Sequence, residues 1–218
     1  MTSRNTSAQP EPQFKVHDHV VYPLQGVGEV VRIEEREFKG EGLLYYVIYI
    51  PVSDMTVMVP VHKAAEIGIR PIVSREEALE ALDFISENPQ AGPTDWKTRY
   101  QMNLDLLKKG SVMDIARVVR ALYYRSKIKE LPILERKLFD NALRILVDEI
   151  SFALEISAKE VEARIFQQLE QESAPIEEEE EDLFEEEDED LNFEEEDEEE
   201  NGDDMEDADL DEEDDSEE

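Results

Sequence analysis

An abrupt change of charge near Glu170 decides how much of this 218-residue chain can fold. Residues 171–218 contain 32 Asp and Glu and no Lys or Arg. Because like charges at that density repel one another and few apolar side chains interrupt them, we expect this segment to be a disordered acidic tail. The first 170 residues carry 26 acids against 22 bases, and folded domains are expected there.

Composition excludes several classes of protein. The chain has no cysteine, which rules out disulfides, thiolate metal sites and cysteine nucleophiles. No apolar run approaches the roughly 18 residues of a membrane span, and the N-terminus lacks the apolar segment of a signal peptide. We therefore expect a cytoplasmic protein that does not associate with membranes.

Residues 14–73 have the pattern of a small β-barrel domain, and the polar residues 1–13 before them are expected to be disordered. Short runs rich in β-branched and aromatic residues alternate with turn residues, at the spacing of a small meander or barrel. In the run from residue 27 to residue 38, apolar residues such as Val31 and Ile33 alternate with the charged residues Arg32, Glu34 and Arg36. This alternation predicts a strand with one apolar face and one charged face toward solvent.

After the barrel the apolar residues recur at helical spacing. Ser74 and Glu77 form a capping box, which predicts a helix and then a Pro/Gly linker within residues 74–93. Residues 94–170 hold four or five helices, the first capped by Thr94, and predict a compact all-α bundle. The expected fold class is therefore α+β, with two domains followed by the acidic tail.

The chain offers little that resembles catalytic or metal-binding chemistry. His17 and His19 have the H-x-H spacing of two metal ligands on one strand, but no third ligand is evident, which favours a solvated strand start. Gly26 and Gly28 lack the third glycine and the helix start of a phosphate-binding loop, and they fit a turn instead. We therefore expect neither an enzyme nor a cofactor.

A basic segment in the helical half stands out in so acidic a protein. Residues 97–137 hold eleven Lys and Arg against four acids, a local net charge of +7. A surface that follows nucleic-acid phosphates would explain this density, and its affinity would fall steeply with salt. An ordinary solvated helix face is the alternative.

Trp96, the only tryptophan, lies in the first turn of a predicted helix. Helical spacing aligns it with three residues of an apolar stripe, Tyr100, Leu104 and Leu107. That alignment fits a core position. The place of Trp96 just after the linker, beside Lys97 and Arg99, instead fits an aromatic ring that stacks on or wedges against a base. Spacing alone leaves both alternatives open.

Five segments, in one order and at similar spacing, carry a family resemblance. They are FKVHDHVVYPLQGVGEVVRIEEREFKG, MTVMVPV, DWKTRYQMNLDLLKKG, VVRALYYR and LERKLFDNALRILVDEI, which extend from about Phe14 to about Glu155. Together they resemble the CarD/CdnL family of bacterial transcription regulators. Five separate matches in register are more specific than any single motif in the chain.

The resemblance implies an N-terminal Tudor-like barrel that binds the β subunit of RNA polymerase, similar to the polymerase-interacting module of transcription-repair coupling factors. It also implies a helical domain that contacts promoter DNA at the upstream edge of the transcription bubble and stabilises the open complex. Trp96 takes the place of the family's tryptophan in the W-x-x-R-Y motif, which wedges into the minor groove. The basic residues implied in DNA binding are Lys97, Arg99, Arg125, Lys127, Lys129, Arg136 and Lys137.

The resemblance also places two residues at the polymerase contact. Arg36 matches a polymerase-facing basic position of the family. Met58 stands where the T-x-R-V-P motif of the last barrel strand usually carries an arginine, which is a departure from the family pattern. We therefore expect contact with the β subunit of the same kind, with a different composition around Met58.

The acidic tail is a second departure, since the usual family member lacks one. The tail either serves solubility alone or binds the basic helical face and competes with DNA. The apolar pairs within it, Leu183-Phe184 and Leu191–Phe193, also fit docking on a partner. A non-enzymatic adaptor that binds basic partners through the barrel and the tail is the alternative function.

Overall fold

A computed structural model of the chain describes residues 11–38, 41–87 and 92–171. Within these ranges a β-sheet is followed by a group of helices, so the predicted α+β class is confirmed. The acidic tail from residue 172 onward lies outside the described residues, as do the first ten residues of the chain.

The N-terminal part is a five-stranded antiparallel sheet in the spatial order β4-β3-β2-β1-β5. Its strands are β1 (His19–Tyr22), β2 (Gly26–Phe38), β3 (Glu41–Ile50), β4 (Met55–Pro60) and β5 (Arg70–Pro71). A 3₁₀ turn (Val61–Lys63) and the short helix α1 (Ala64–Ile67) connect β4 to β5. The pairings establish the sheet, and its closure into a barrel stays a prediction.

One face of the sheet encloses an apolar core. Its buried members are Phe14, Val20, Val30, Tyr46, Ile48, Ile50, Val59, Ala64 and Ile69. Three alternate residues of β3, Tyr46, Ile48 and Ile50, belong to this core, as expected for a strand with one buried face. The other face of β2 carries Arg32, Glu34 and Arg36, which pair in register with Val47, Tyr45 and Leu43 of β3.

A β-bulge in β2 changes the predicted alternation. The register with β3 shifts between Val30 and Arg32, so Val31 has no direct partner and is exposed to solvent. The prediction that Val31 shares a face with Ile33 is therefore wrong. Beyond the bulge the alternation resumes, and Ile33 packs against the core.

The C-terminal part consists of α2 (Arg75–Ser86), α3 (Trp96–Lys109), α4 (Val112–Ile128), α5 (Ile133–Leu154) and α6 (Ala158–Gln171). Ser74 and Ser111 cap α2 and α4 by accepting hydrogen bonds from N–H groups three residues later. The cap of α3 is Asp95 and not Thr94, because the Asp95 carboxylate accepts from the Thr98 N–H at 2.8 Å. No described helix combines the length and apolar character that crossing a membrane requires.

The turn between β1 and β2 packs against α5. Leu24 lies against the helical core with a φ of 63°, and its carbonyl oxygen accepts a hydrogen bond from Asn141 Nδ2 at 3.3 Å. The Gln25 carbonyl accepts one from the Arg144 guanidinium at 3.4 Å. Gly26 supplies the φ of 99° that lets the chain turn back into β2. These contacts hold the sheet against the helices.

Candidate nucleic-acid interface

The N-terminus of α3, the C-terminus of α4 and the N-terminus of α5 meet at one end of the helical part. Arg99, in the first turn of α3, is hydrogen-bonded to Glu135, in the first turn of α5, at 2.7 and 2.8 Å. Burial lowers the pKa of Arg125, in the last turn of α4, and the nearby charge of Arg99 lowers it further. We call this region the Trp96 end and define it by residues 93–99, 125–129 and 133–137.

Trp96 lies at the margin of the helical core. The buried face of α3 runs through Arg99, Asn103 and Leu107, which are 7%, 1% and 1% exposed. Of the predicted stripe, Leu107 is in the core and Tyr100 and Leu104 pack against it, whereas Trp96 is only partly buried and is not among the described side chains that pack there. The ammonium group of Lys97 lies 5.8 Å from the centre of the indole ring. The indole therefore keeps an accessible surface next to a cation.

Arg99 is buried, and its guanidinium points into the protein. Its Nε and Nη2 donate to the Glu135 carboxylate, and its Nη1 donates to the carbonyl oxygens of Pro93 and Thr94 at 2.9 and 3.0 Å. The Glu135 side chain has no exposed surface. Because the donors of Arg99 are engaged inside the protein, this geometry argues against the phosphate contact expected for it.

The other candidate cations lie at the surface of the Trp96 end. Four lysines are exposed to solvent: Lys97, Lys127, Lys129 and Lys137. The Lys127 ammonium also lies over the Tyr123 ring, 4.7 Å from its centre. Arg136 is exposed and pairs with Glu130 at 2.6 Å. These side chains bring positive charge to the same end of the helices as Trp96.

The basic segment 97–137 does not form one continuous surface. Arg120 is 7% exposed, stacks on the Phe84 ring at 3.8 Å and donates to the Phe84 carbonyl. Lys108 and Lys109 are exposed in the last turn of α3, at the opposite end of that helix from Trp96. The local charge of +7 therefore overstates the number of cations that share a surface with the indole.

Two buried glutamates of α5, Glu135 and Glu149, belong to no functional motif of the sequence. An apolar stripe with alternating spacings of four and three runs into and along α5, and all its members are buried: Leu131, Glu135, Leu138, Ala142, Ile145 and Glu149. A carboxylate at a core position needs a cationic or hydrogen-bonding partner. Glutamates within an apolar stripe are thus the sequence signal that points to Arg99 and, at the other end of α5, to Arg70.

The outer face of the sheet carries both residues expected to contact polymerase. Arg36 in β2 is exposed, and its Nε donates to Glu34 at 2.8 Å, while Arg32 donates to the same carboxylate at 2.7 Å. Hydrogen bonding to Arg36, and then to Arg32, lowers the pKa of Glu34. Met58 in β4 lies opposite Val47, which lies opposite Arg32, so Met58 and the arginines share this face.

His17 and His19 do not converge on a metal position. His17 Nδ1 lies 2.7 Å from a carboxylate oxygen of Glu29, whereas the His19 ring packs on Phe152 with 4.6 Å between ring centres. In the part of the chain that the structure describes, no group of three or more His, Asp or Glu side chains is arranged to hold a metal ion.

Known protein families match both the sheet and the helical part that includes the Trp96 end. Residues 14–73 match the CarD-like/TRCF RID domain, and residues 80–166 match the CarD C-terminal domain. The chain belongs to the CarD/CdnL family. It is 38% identical over 154 residues to "Putative transcription factor YdeB" of Bacillus subtilis (strain 168), over 69% of this chain and 98% of that relative. As a CarD/CdnL family member, the chain is a transcription regulator.

Proposed function

We propose that this CarD/CdnL family member binds the β subunit of RNA polymerase through the outer face of its sheet. We also propose that the Trp96 end contacts promoter DNA at the upstream edge of the bubble and stabilises the open complex. The observation that carries the proposal is the position of Trp96. Its partly exposed indole lies beside Lys97 at an end of the helices, in the motif position of the family's tryptophan.

An indole in this position suits a wedge in the minor groove. Apolar and aromatic side chains that insert beside a base step unstack it and bend the duplex, and stacking on a base contributes about 1–3 kcal/mol. The wedge contacts form only where the strands separate, so their free energy favours the open state alone. A difference of about 1.4 kcal/mol raises the ratio of open to closed complex about tenfold.

The exposed lysines of the Trp96 end act on the phosphates on either side of that wedge. Contacts of ammonium groups with phosphates position a protein on DNA without reading its sequence. The arrangement therefore favours recognition of DNA shape and strand separation over recognition of bases.

The outer face of the sheet supports a mixed polar and apolar contact with polymerase. Arg32 and Arg36 flank Glu34 on β2, and the partly exposed Met58 lies on the same face, opposite Val47, which is itself buried. Met58 offers an adaptable apolar side chain where the T-x-R-V-P motif has an arginine, so apolar packing replaces one charged contact there.

The decisive experiment compares open-complex lifetimes with wild-type protein and with Trp96→Ala, using RNA polymerase from the same organism. We expect the lifetime to fall severalfold with Trp96→Ala, while binding to polymerase, measured in parallel, is retained. Trp96→Phe keeps an aromatic ring and is expected to retain part of the effect. Equal lifetimes with wild type and Trp96→Ala would contradict the proposal and favour a non-enzymatic adaptor.

The acidic tail adds a regulatory component to the proposal. Residues 172–218 carry only acidic charge, and the Trp96 end carries exposed lysines. We propose that the tail competes with DNA for these lysines, since both are polyanions that bind through the same ammonium groups.

A further inference from the structure

We propose that Arg99 and Glu135 form a positioning pair, which fixes the orientation of the Trp96 indole for its contact with DNA. This inference rests on the proposed function of Trp96. It gives Arg99 a role that differs from the phosphate contact expected from its place in the W-x-x-R-Y motif.

The first support is the set of groups that one guanidinium joins. Arg99 holds the Glu135 carboxylate at the start of α5 and the carbonyl oxygens of Pro93 and Thr94 in the segment before α3. Trp96 lies between Thr94 and Arg99 in the chain. The backbone on both sides of the indole is therefore attached to the same buried group.

The second support is the burial of the pair. The side chains of Arg99 and Glu135 are 8% and 0% exposed. Water and salt therefore screen their attraction less than that of a surface pair. The pair also needs an arginine. The planar guanidinium donates two parallel hydrogen bonds to a carboxylate and, from the same plane, further ones to two carbonyl oxygens, which a lysine ammonium cannot do.

The N-cap of α3 restrains the same segment from the solvent side. The Asp95 carboxylate accepts from the Thr98 N–H at 2.8 Å and from the Thr98 hydroxyl at 2.5 Å. Trp96 is thus the first residue of a helix whose start is held by a cap on one side and by the positioning pair on the other. A restrained backbone fixes the position and direction from which the indole leaves the helix, so less conformational freedom is lost when it binds.

Stability alone is a weak reason for this pair. Replacing a buried ion pair by apolar residues of similar volume is often neutral or stabilising, so packing does not require charges here. An apolar pair, however, has no donors for the carbonyl oxygens of Pro93 and Thr94. What the charged pair supplies is a defined path for the segment that leads into Trp96.

Fluorescence tests the positioning directly, because Trp96 is the only tryptophan in the chain. In the full chain, Glu135→Gln is expected to speed the local decay of indole anisotropy and to increase quenching by acrylamide. Glu160→Gln is the matched control, because it removes the same charge from the exposed pair with Arg164 in α6. Unchanged anisotropy and quenching in a folded Glu135→Gln protein would overturn the positioning role.

A second variant guards against loss of the fold. Glu135→Asp keeps the charge and withdraws the carboxylate by one methylene, and circular dichroism reports whether each variant retains its helices. Glu135→Asp is expected to shift the fluorescence in the same direction as Glu135→Gln, by a smaller amount. An opposite order would overturn the role of the charge.

A double-mutant cycle separates positioning from general stability. Glu135→Gln is expected to shorten the open-complex lifetime roughly threefold to tenfold when Trp96 is present, which lies within the range of couplings between interacting residues. It is expected to have no effect in the Trp96→Ala background. Equal shortening in both backgrounds would overturn the proposal. If Trp96→Ala alone leaves the lifetime unchanged, the proposed function fails, and the fluorescence result still decides whether the pair orients the indole.

Discussion

Glu135 and Glu149 lie on the same face of α5, four helical turns and about 21 Å apart, and each pairs with one arginine from another element. Arg99 of α3 joins the first, and Arg70 of β5 joins the second. One pair holds the Trp96 end, and the other holds the sheet. Helix α5 is therefore the element that relates the proposed polymerase contact to the proposed DNA contact.

Removing Arg70 is expected to destabilise the protein strongly. Arg70 Nη2 donates to the fully buried Glu149 carboxylate at 2.8 Å, and its Nε donates to the Gly110 carbonyl at 2.8 Å. Arg70→Met leaves that carboxylate buried without its cation, so we expect the free energy of unfolding to fall by about 3 kcal/mol in urea titrations. Arg70→Met with Glu149→Leu is expected to recover most of this loss, because the unpaired charge is gone.

An exposed ion pair provides the control for that prediction. Arg164 pairs with Glu160 at 2.8 Å on the surface of α6, where both side chains are about half exposed. Arg164→Met is expected to change the free energy of unfolding by less than about 0.5 kcal/mol. Similar losses for Arg70→Met and Arg164→Met would contradict the assignment of Arg70 as the partner of a buried carboxylate that links sheet and helices.

Charge reversal at Arg36 is expected to weaken polymerase binding. In the wild-type protein the Glu34 carboxylate accepts hydrogen bonds from both Arg32 and Arg36. Arg36→Glu removes one of these cations and places a second carboxylate beside Glu34. Repulsion across the proposed interface should lower the affinity for RNA polymerase about tenfold or more, measured by pull-down or interferometry. The circular dichroism of the helices should remain that of wild type. An unchanged affinity would remove Arg36 from the polymerase contact.

Local signals in the sequence predicted much of the fold and part of the site. The serines at positions 74 and 111 cap helices because a cap depends on residues only three apart. The start of α3 was displaced by one residue, since Thr94 and Asp95 are both good caps and only the tertiary fold decides between them. The predicted apolar stripe also missed Arg99 and Asn103, because polar residues were not expected at buried positions of α3.

Pairings between distant residues were beyond the reach of spacing rules. Arg99 and Glu135 are 36 residues apart, and Arg70 and Glu149 are 79 apart, so no helical or strand period connects them. The basic character of Arg99 favoured a surface role. Its burial becomes predictable only when Glu135 is recognised as a carboxylate in an apolar stripe that needs a partner.

Two exposed lysines, Lys129 after α4 and Lys108 in α3, are expected to differ in their effect on DNA affinity. Lys129 lies at the Trp96 end, whereas Lys108 lies in the last turn of α3, away from it. Lys129→Gln should lower the affinity for promoter DNA and reduce the slope of log affinity against log salt by about 1, the loss of one phosphate contact. Lys108→Gln should leave both unchanged. Equal effects of the two variants would contradict a DNA contact confined to the Trp96 end.

Asp148 is expected to make stability depend on pH. Its Oδ2 is buried without a hydrogen-bond partner among the described residues, and burial raises its pKa, against a smaller opposing effect of Arg144. A carboxyl with a higher pKa in the folded than in the unfolded protein binds protons better when folded, so its contribution to stability is lost as pH rises through the folded pKa. Asp148→Asn removes the ionisable carboxyl, so the variant does not lose this stability as pH rises.

Urea titrations of wild type and Asp148→Asn across the acidic to neutral range measure this effect. The gain in the free energy of unfolding from Asp148→Asn should increase as pH rises above the ordinary carboxyl pKa of about 4. Other groups titrate alike in both proteins and cancel in the difference. A gain that is constant with pH would show that Asp148 is ionised equally in the folded and unfolded states.

Deletion of the acidic tail is expected to raise DNA affinity. Residues 172–218 follow the end of α6 at Gln171, so truncation there leaves every described helix intact. If the tail occupies the lysines of the Trp96 end, the truncated protein should bind promoter DNA more tightly at a fixed low salt concentration. The difference should shrink as salt screens both competitors.

Lys129→Gln in the truncated and full-length proteins provides the control, because the affinity gained by truncation should be smaller when that lysine is absent. Unchanged affinity after truncation would end the competition proposal and leave solubility or partner docking as the role of the tail.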